Sequence, residues 1–196
     1  MGSTRAQVKH TMVRVPVSAE ELFSNGMKRT FGHIPDPPRG NHLNLGAGDN
    51  PVPDENALGL VGAEHPIFST INLDRPQWEA PSLDGIASGS IAAVHAYHFF
   101  EHLHAGVFRG MLAEIDRVLM PGGLVYVCVP YARSDIAFQD LDHRLFFTEE
   151  SWRTLLGNQY YDATYGKEFD WTIVFNMIAG VAGRNLAVLT VLRKEA

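Results

Sequence analysis

Residues 124–130, LVYVCVP, form an unbroken apolar run of strand length. A strand with one wet face alternates apolar and polar residues. One without alternation is covered on both faces, the pattern of a parallel sheet packed between helices. The segment before it, GVFRGMLAEIDRVL (106–119), carries Val107, Met111, Ile115 and Leu119 at helical spacing. Arg109, Glu114, Asp116 and Arg117 are left for its wet side. That helix is expected to stop at Pro121-Gly122-Gly123, and before it GSIAAVHAY (89–97) reads as another apolar strand. Strand, helix, strand in this order constrains the chain to an α/β sheet.

The remaining elements fit that frame. His42 to Leu45 reads as a short strand running into Gly46-Ala47-Gly48, and FSTINLD as a second strand ending at Asp74. FTEESWRTLL begins a helix with Thr148 as its cap. DWTIVFNMI and NLAVLTVL close the chain as two strands, joined by a connection short enough for an antiparallel hairpin. The expected fold is a mostly parallel sheet with helices on both faces and a C-terminal antiparallel hairpin. Residues 1–40 form an arm, with a short helix from about Ala19 to Lys28 after the Ser18–Glu21 capping pattern. Residues 41–196 form the folded domain.

Composition excludes several classes. The net charge of −6 disfavours a broad basic face for nucleic acid. No apolar run is long enough to cross a membrane, and MGSTRAQVKHTM lacks the apolar core of a secretory signal. The lone cysteine, Cys128, precludes an internal disulfide; it reads as a small core residue and fits a cytoplasmic location.

Three features point to chemistry. Gly46-x-Gly48 lets the backbone turn sharply at a strand end, where ligands of open α/β sheets sit. Pro51 occupies the third glycine position of a dinucleotide fingerprint and argues against that ligand class. Asp74, at the next strand end, can accept hydrogen bonds from both hydroxyls of a ribose or can simply shape a turn. The third feature, HFFEH (98–102), has the H-x-x-E-H spelling of a class of zinc peptidases. A zinc site needs both histidines on one helix, yet the upstream strand places His98 at its exit. His95, His98, His102 and His104, with Glu149 or Glu150, remain an alternative metal set; the expectation is no metal.

Taken together, LNLGAG, INLD, HFFEHL, RVLMPGGLVYVCVP and HRLFFTEES resemble, in order, the motifs of class I S-adenosylmethionine-dependent methyltransferases, from about residue 41 to 157. The resemblance implies a Rossmann-like fold and S-adenosyl-L-methionine as cofactor. Gly46, Ala47 and Gly48 would pass under its methionine part. Asp74 would hold the ribose with Arg75 beside the adenine, and Asp84 and Ile86 would also lie near the adenine. Tyr97 and His98 would line the pocket near the sulfonium. His98 and His143 are candidate general bases, with His102 behind them, Tyr131 and Arg133 facing the acceptor, and 158–171 walling its pocket or joining the core. A small molecule or a sugar, methylated on O or N, is the expected acceptor. Two alternatives remain: a non-catalytic binding module of this fold, or a zinc hydrolase built on HFFEH.

Overall fold

The structure, a computed structural model, describes residues 38–46, 70–73, 79–156, 169–181 and 185–196. The expected helix over 19–28 lies outside these. Among the described residues six strands form one sheet: β1 (Asn41–Leu45), β2 (Thr70–Leu73), β3 (Ile91–Tyr97), β4 (Leu119–Pro130), β5 (Trp171–Val181) and β6 (Asn185–Lys194). Their order is β2-β1-β3-β4-β6-β5. The first four run parallel, while β6 pairs antiparallel with both β4 and β5. The expected terminal hairpin therefore enters the sheet with its second strand inside and its first at the edge. The described helices are α1 (Ala105–Val118), α2 (Ile136–Gln139) and α3 (Glu149–Leu155), with a 3-10 turn over Phe100–His102.

Helix α1 ends one residue earlier than its sequence pattern suggests, and Leu119 already pairs with Ile91. Pro121 has no N–H to give, and Gly122 turns with φ +76°. The β3–β4 ladder therefore shifts register there and becomes regular from Ala93–Leu124, where the apolar run begins.

The pleat sorts the core. Leu43, Leu45, Val94, Ala96, Val125, Val127 and Val129 point to one face and pack with Met111, Leu112, Ile115 and Val118 of α1 and Trp152 of α3. Each fully buried Leu, Ile, Val or Met among them contributes roughly 1.5–3 kcal/mol. Val107, expected in this stripe, is only half-buried. Arg109 is exposed on the wet side of α1 as expected, whereas Asp116, expected there too, helps tie the helix down. Trp171 Nε1 donates to Asp116 Oδ1 at 2.7 Å, and Lys194 Nζ donates to the carbonyls of Asp116 and Leu119 at the end of α1. A cation there complements the negative end of the helix.

The opposite face carries Ala93, Tyr126, Cys128, Leu189 and Val191, so Cys128 is the core residue expected. It also buries His42 and His95. His95 Nδ1 meets the Tyr97 hydroxyl at 3.1 Å, His95 Nε2 meets His42 Nδ1 at 3.2 Å, and the His95 ring stacks on Tyr126. Burial lowers the pKa of His42 and drives that of His95 well below the ordinary imidazole value; the neighbouring His42 adds to the effect on His95. Both stay neutral, as a buried hydrogen-bonded chain requires.

Candidate functional site

The ends of β1 and β2 meet directly. Gly46 N donates to Leu73 O at 2.9 Å. Gly46 has φ +67°, and a Cβ there would lie 2.9 Å from Cδ2 of Phe99, the residue that follows His98 after β3. The glycine is required twice over, by its backbone conformation and by the aromatic ring against it. The exits of three adjacent parallel strands are thereby gathered at one edge of the sheet. Ala47, Gly48, Asp74 and Arg75 lie outside the described residues.

Tyr97 closes β3 half-buried, and His98 follows in the left-handed region at φ +50°, its N–H donating to Cys128 O at 2.9 Å. A non-glycine residue seldom adopts that conformation, and its occurrence at a strand exit is a common mark of functional sites. The turn carries the His98 side chain between two groups. Its Nε2 is 3.9 Å from Cys128 Sγ, and its Nδ1 is 3.1 Å from Glu101 Oε1. Cys128, and then Glu101, push the His98 pKa up to about 10. The side chain is 44% exposed, so solvent screens the pair, but the direction keeps His98 protonated at neutral pH. An imidazolium has no lone pair with which to take a proton. In that protonated form His98 is a positive charge at the sheet edge, and the general-base role expected of it would require that proton to leave first.

The H-x-x-E-H string does not lie on one α-helix. His98 sits in the turn, and only Phe100–His102 coil, as a single 3-10 turn. Phe99 and Phe100 are buried in the core. The histidines crowded in sequence are dispersed in space. His95 faces the sheet interior, and His104 is the exposed N-cap of α1. A second set forms in their place: Glu101, His102 and His143 each bring one ligand atom within 4.8 Å of the others.

Asp84 and Ile86 do not join the strand exits. Gly89 N donates to Arg117 O, and Arg117 donates to Ile86 O at 2.8 Å and Leu83 O at 3.1 Å. Arg117 is in the last turn of α1. That helix starts just beyond the exit of β3 and ends where Leu119 pairs with Ile91, so its last turn lies at the opposite, entry edge of the sheet. Asp84 is exposed there, bonded to Ser82 Oγ, and Ile86 packs against the core. Tyr131, expected to face the acceptor, is buried in the core, with its N–H bonded to Leu186 O; Arg133 is exposed. His143 sits in the α2–α3 connection, where Nδ1 donates to Ala137 O at 3.0 Å and Nε2 lies 3.9 Å from Asp140 Oδ2. Phe138 and Phe146 stack on each other on the exposed surface near it in sequence.

Neither a scan against protein-family models nor a search of curated proteins returns a match. Solved structures do match. Small RNA methyltransferase HEN1 aligns over 100% of this chain and 27% of its own, at TM-score 0.56 and 14% identity. The Burkholderia thailandensis 1,6-didemethyltoxoflavin-N1-methyltransferase, solved with bound 1,6-didemethyltoxoflavin and S-adenosylhomocysteine, aligns over 81% of this chain and 72% of its own, at TM-score 0.51 and 16% identity. A SAM-dependent methyltransferase from Methanosarcina mazei aligns over 79% and 92%, at TM-score 0.49 and 15% identity. The chain has the class I S-adenosylmethionine-dependent methyltransferase fold.

Proposed function

We propose that the chain is an S-adenosylmethionine-dependent methyltransferase acting on an oxygen or nitrogen of a small acceptor. The observation that supports this most is the Gly46–Leu73 junction. It brings the ends of β1 and β2 into hydrogen-bond contact at the edge where Tyr97 and His98 leave β3. Ligands of open α/β sheets occupy that edge, and a side-chain-free turn lets backbone approach them. The described part of the edge fits a nucleoside: a glycine turn, an adjoining strand end and a polar strand exit. Gly46, Ala47 and Gly48 would pass along the methionine part, Asp74 would take the ribose hydroxyls with Arg75 beside it, and Tyr97 would line the wall. A bound S-adenosylmethionine supplies an already activated methyl group. The protein's share is therefore chiefly alignment, which can contribute on the order of 7–11 kcal/mol in ideal cases. The His98 imidazolium would stand near the cofactor carboxylate or the acceptor as a fixed charge.

The test is calorimetry with S-adenosylhomocysteine. Wild type should bind one equivalent, and Asp74→Ala should lose about 1.5–3 kcal/mol, the range for hydrogen bonds to a charged group. Absence of wild-type binding would defeat the proposal, and an unchanged Asp74→Ala isotherm would remove Asp74 from the site. Binding without methyl transfer to any acceptor would favour the non-catalytic module.

A further inference from the structure

The α2–α3 connection folds back onto the 3-10 turn after β3. Arg144 N and Leu145 N both donate to Glu101 O, at 2.7 and 3.1 Å. This clamp presses His143 against His102, with ring centroids 4.8 Å apart at 67°. The Glu101 carboxylate lies with them and is 1% exposed. Its Oε1 is held by His98, while among the described residues its Oε2 accepts no hydrogen bond. A buried carboxylate oxygen without a donor is costly, and a cation is the usual remedy.

The histidines are arranged as ligands are. His143 Nδ1–H is committed to the Ala137 carbonyl, which fixes the tautomer and leaves the Nε2 lone pair available. Asp140 Oδ2, 3.9 Å from that nitrogen, is too far for a direct hydrogen bond. From these contacts we propose that Glu101, His102 and His143 form a binding site for a divalent transition-metal ion, with Asp140 at its margin. Two imidazoles and one carboxylate suit zinc or cobalt better than magnesium or calcium, which prefer all-oxygen shells. Ligand atoms up to 4.8 Å apart need only a modest side-chain contraction to reach the roughly 2.0–2.2 Å bonds of such an ion. Three protein ligands leave coordination positions open to a water or a bound molecule. The site uses none of the residues assigned to the nucleoside, though Glu101 also pairs with His98 beside it.

Chelator-stripped full-length protein titrated with Co2+ should take up one equivalent, with visible d–d absorption reporting imidazole ligands; Zn2+ should displace it. His102→Ala, a change at an exposed side chain, should weaken uptake by at least about tenfold, and His143→Ala likewise. Asp140→Asn should change it far less. Melting curves of each variant keep loss of fold apart from loss of a ligand. Absence of saturable Co2+ uptake overturns the proposal, as does uptake insensitive to both histidine substitutions. S-adenosylhomocysteine titrated into metal-free protein separates the two readings. Nucleoside binding without cobalt uptake sinks the metal site alone, and cobalt uptake without nucleoside binding sinks the cofactor reading alone.

Discussion

Replacing Gly46 by alanine should expose how tightly the sheet edge is built. Two costs add. The left-handed backbone at φ +67° penalises a residue with a Cβ by roughly 1–2 kcal/mol. The new methyl would also stand 2.9 Å from Cδ2 and 3.3 Å from Cβ of Phe99, whose ring is buried. Forcing an extra carbon into packed surroundings costs roughly 1–3 kcal/mol more. The total, about 2–5 kcal/mol, is a large share of the ~5–15 kcal/mol typical of a folded domain. It corresponds to a melting temperature lower by roughly 4–20 °C at this chain length. Urea unfolding of Gly46→Ala, Phe99→Val and the double variant separates the terms, because Phe99→Val removes the δ carbon that the methyl would strike. Against the valine background the alanine should cost less, by the part of the clash that Cδ2 causes. Equal penalties in both backgrounds would refute the Phe99 clash. A single variant within about 0.5 kcal/mol of wild type would refute both terms.

Three further outcomes are expected. Burial keeps His42 and His95 neutral in the folded state, while the unfolded chain protonates them near the ordinary value of 6.5. The unfolded state then binds more protons below that pH, so the contribution of these two histidines to stability should be constant above about pH 6.5 and fall as pH drops. His95→Phe should flatten the slope by up to roughly 1.4 kcal/mol per pH unit, and an identical slope in wild type and variant would contradict this. Trp152 Nε1 is buried without a partner among the described residues, and its ring stacks on Phe147. Trp152→Phe should therefore cost far less in chemical denaturation than the roughly 3–5 kcal/mol of Trp152→Ala; equal losses would mean the indole N–H is satisfied after all. Arg117 forks onto Glu114 while holding Leu83 O and Ile86 O. Arg117→Lys, which lacks the planar fork, should speed amide exchange across residues 83–89 almost as much as Arg117→Ala, and full protection in the lysine variant would contradict that role.

The sequence carried the sheet more fully than the site. LVYVCVP and IAAVHAY are legible because a strand buried on both faces has no use for polar alternation, and the amphipathic stripe of α1 needs no partner to be recognised. The helical stop was less clear, because Leu119 suits a helix stripe and a buried strand equally well. Site residues depend on which edge of the sheet a loop reaches. Asp84 and Ile86 sit in a turn-rich segment whose letters do not say that Arg117 will hold it at the entry edge. The His98–Cys128 contact depends on register: Tyr97 opposes Cys128 across the β3–β4 ladder, a pairing that periodicity cannot specify. Glu101 was visible as part of a string of letters. Its burial was not, because it follows from a connection forty residues downstream folding over it.

The threading of the last two strands has a kinetic side. Strand β5 is made before β6, yet β6 is its sheet partner and also lies between it and β4. During synthesis β4 must wait with one apolar flank open until residues 185–194 emerge, and the last-turn carbonyls of α1 wait with it for Lys194. Non-local pairing of this kind slows folding and leaves a sticky border in the nascent chain. Chaperone demand during expression should therefore track how quickly that closing segment leaves the ribosome.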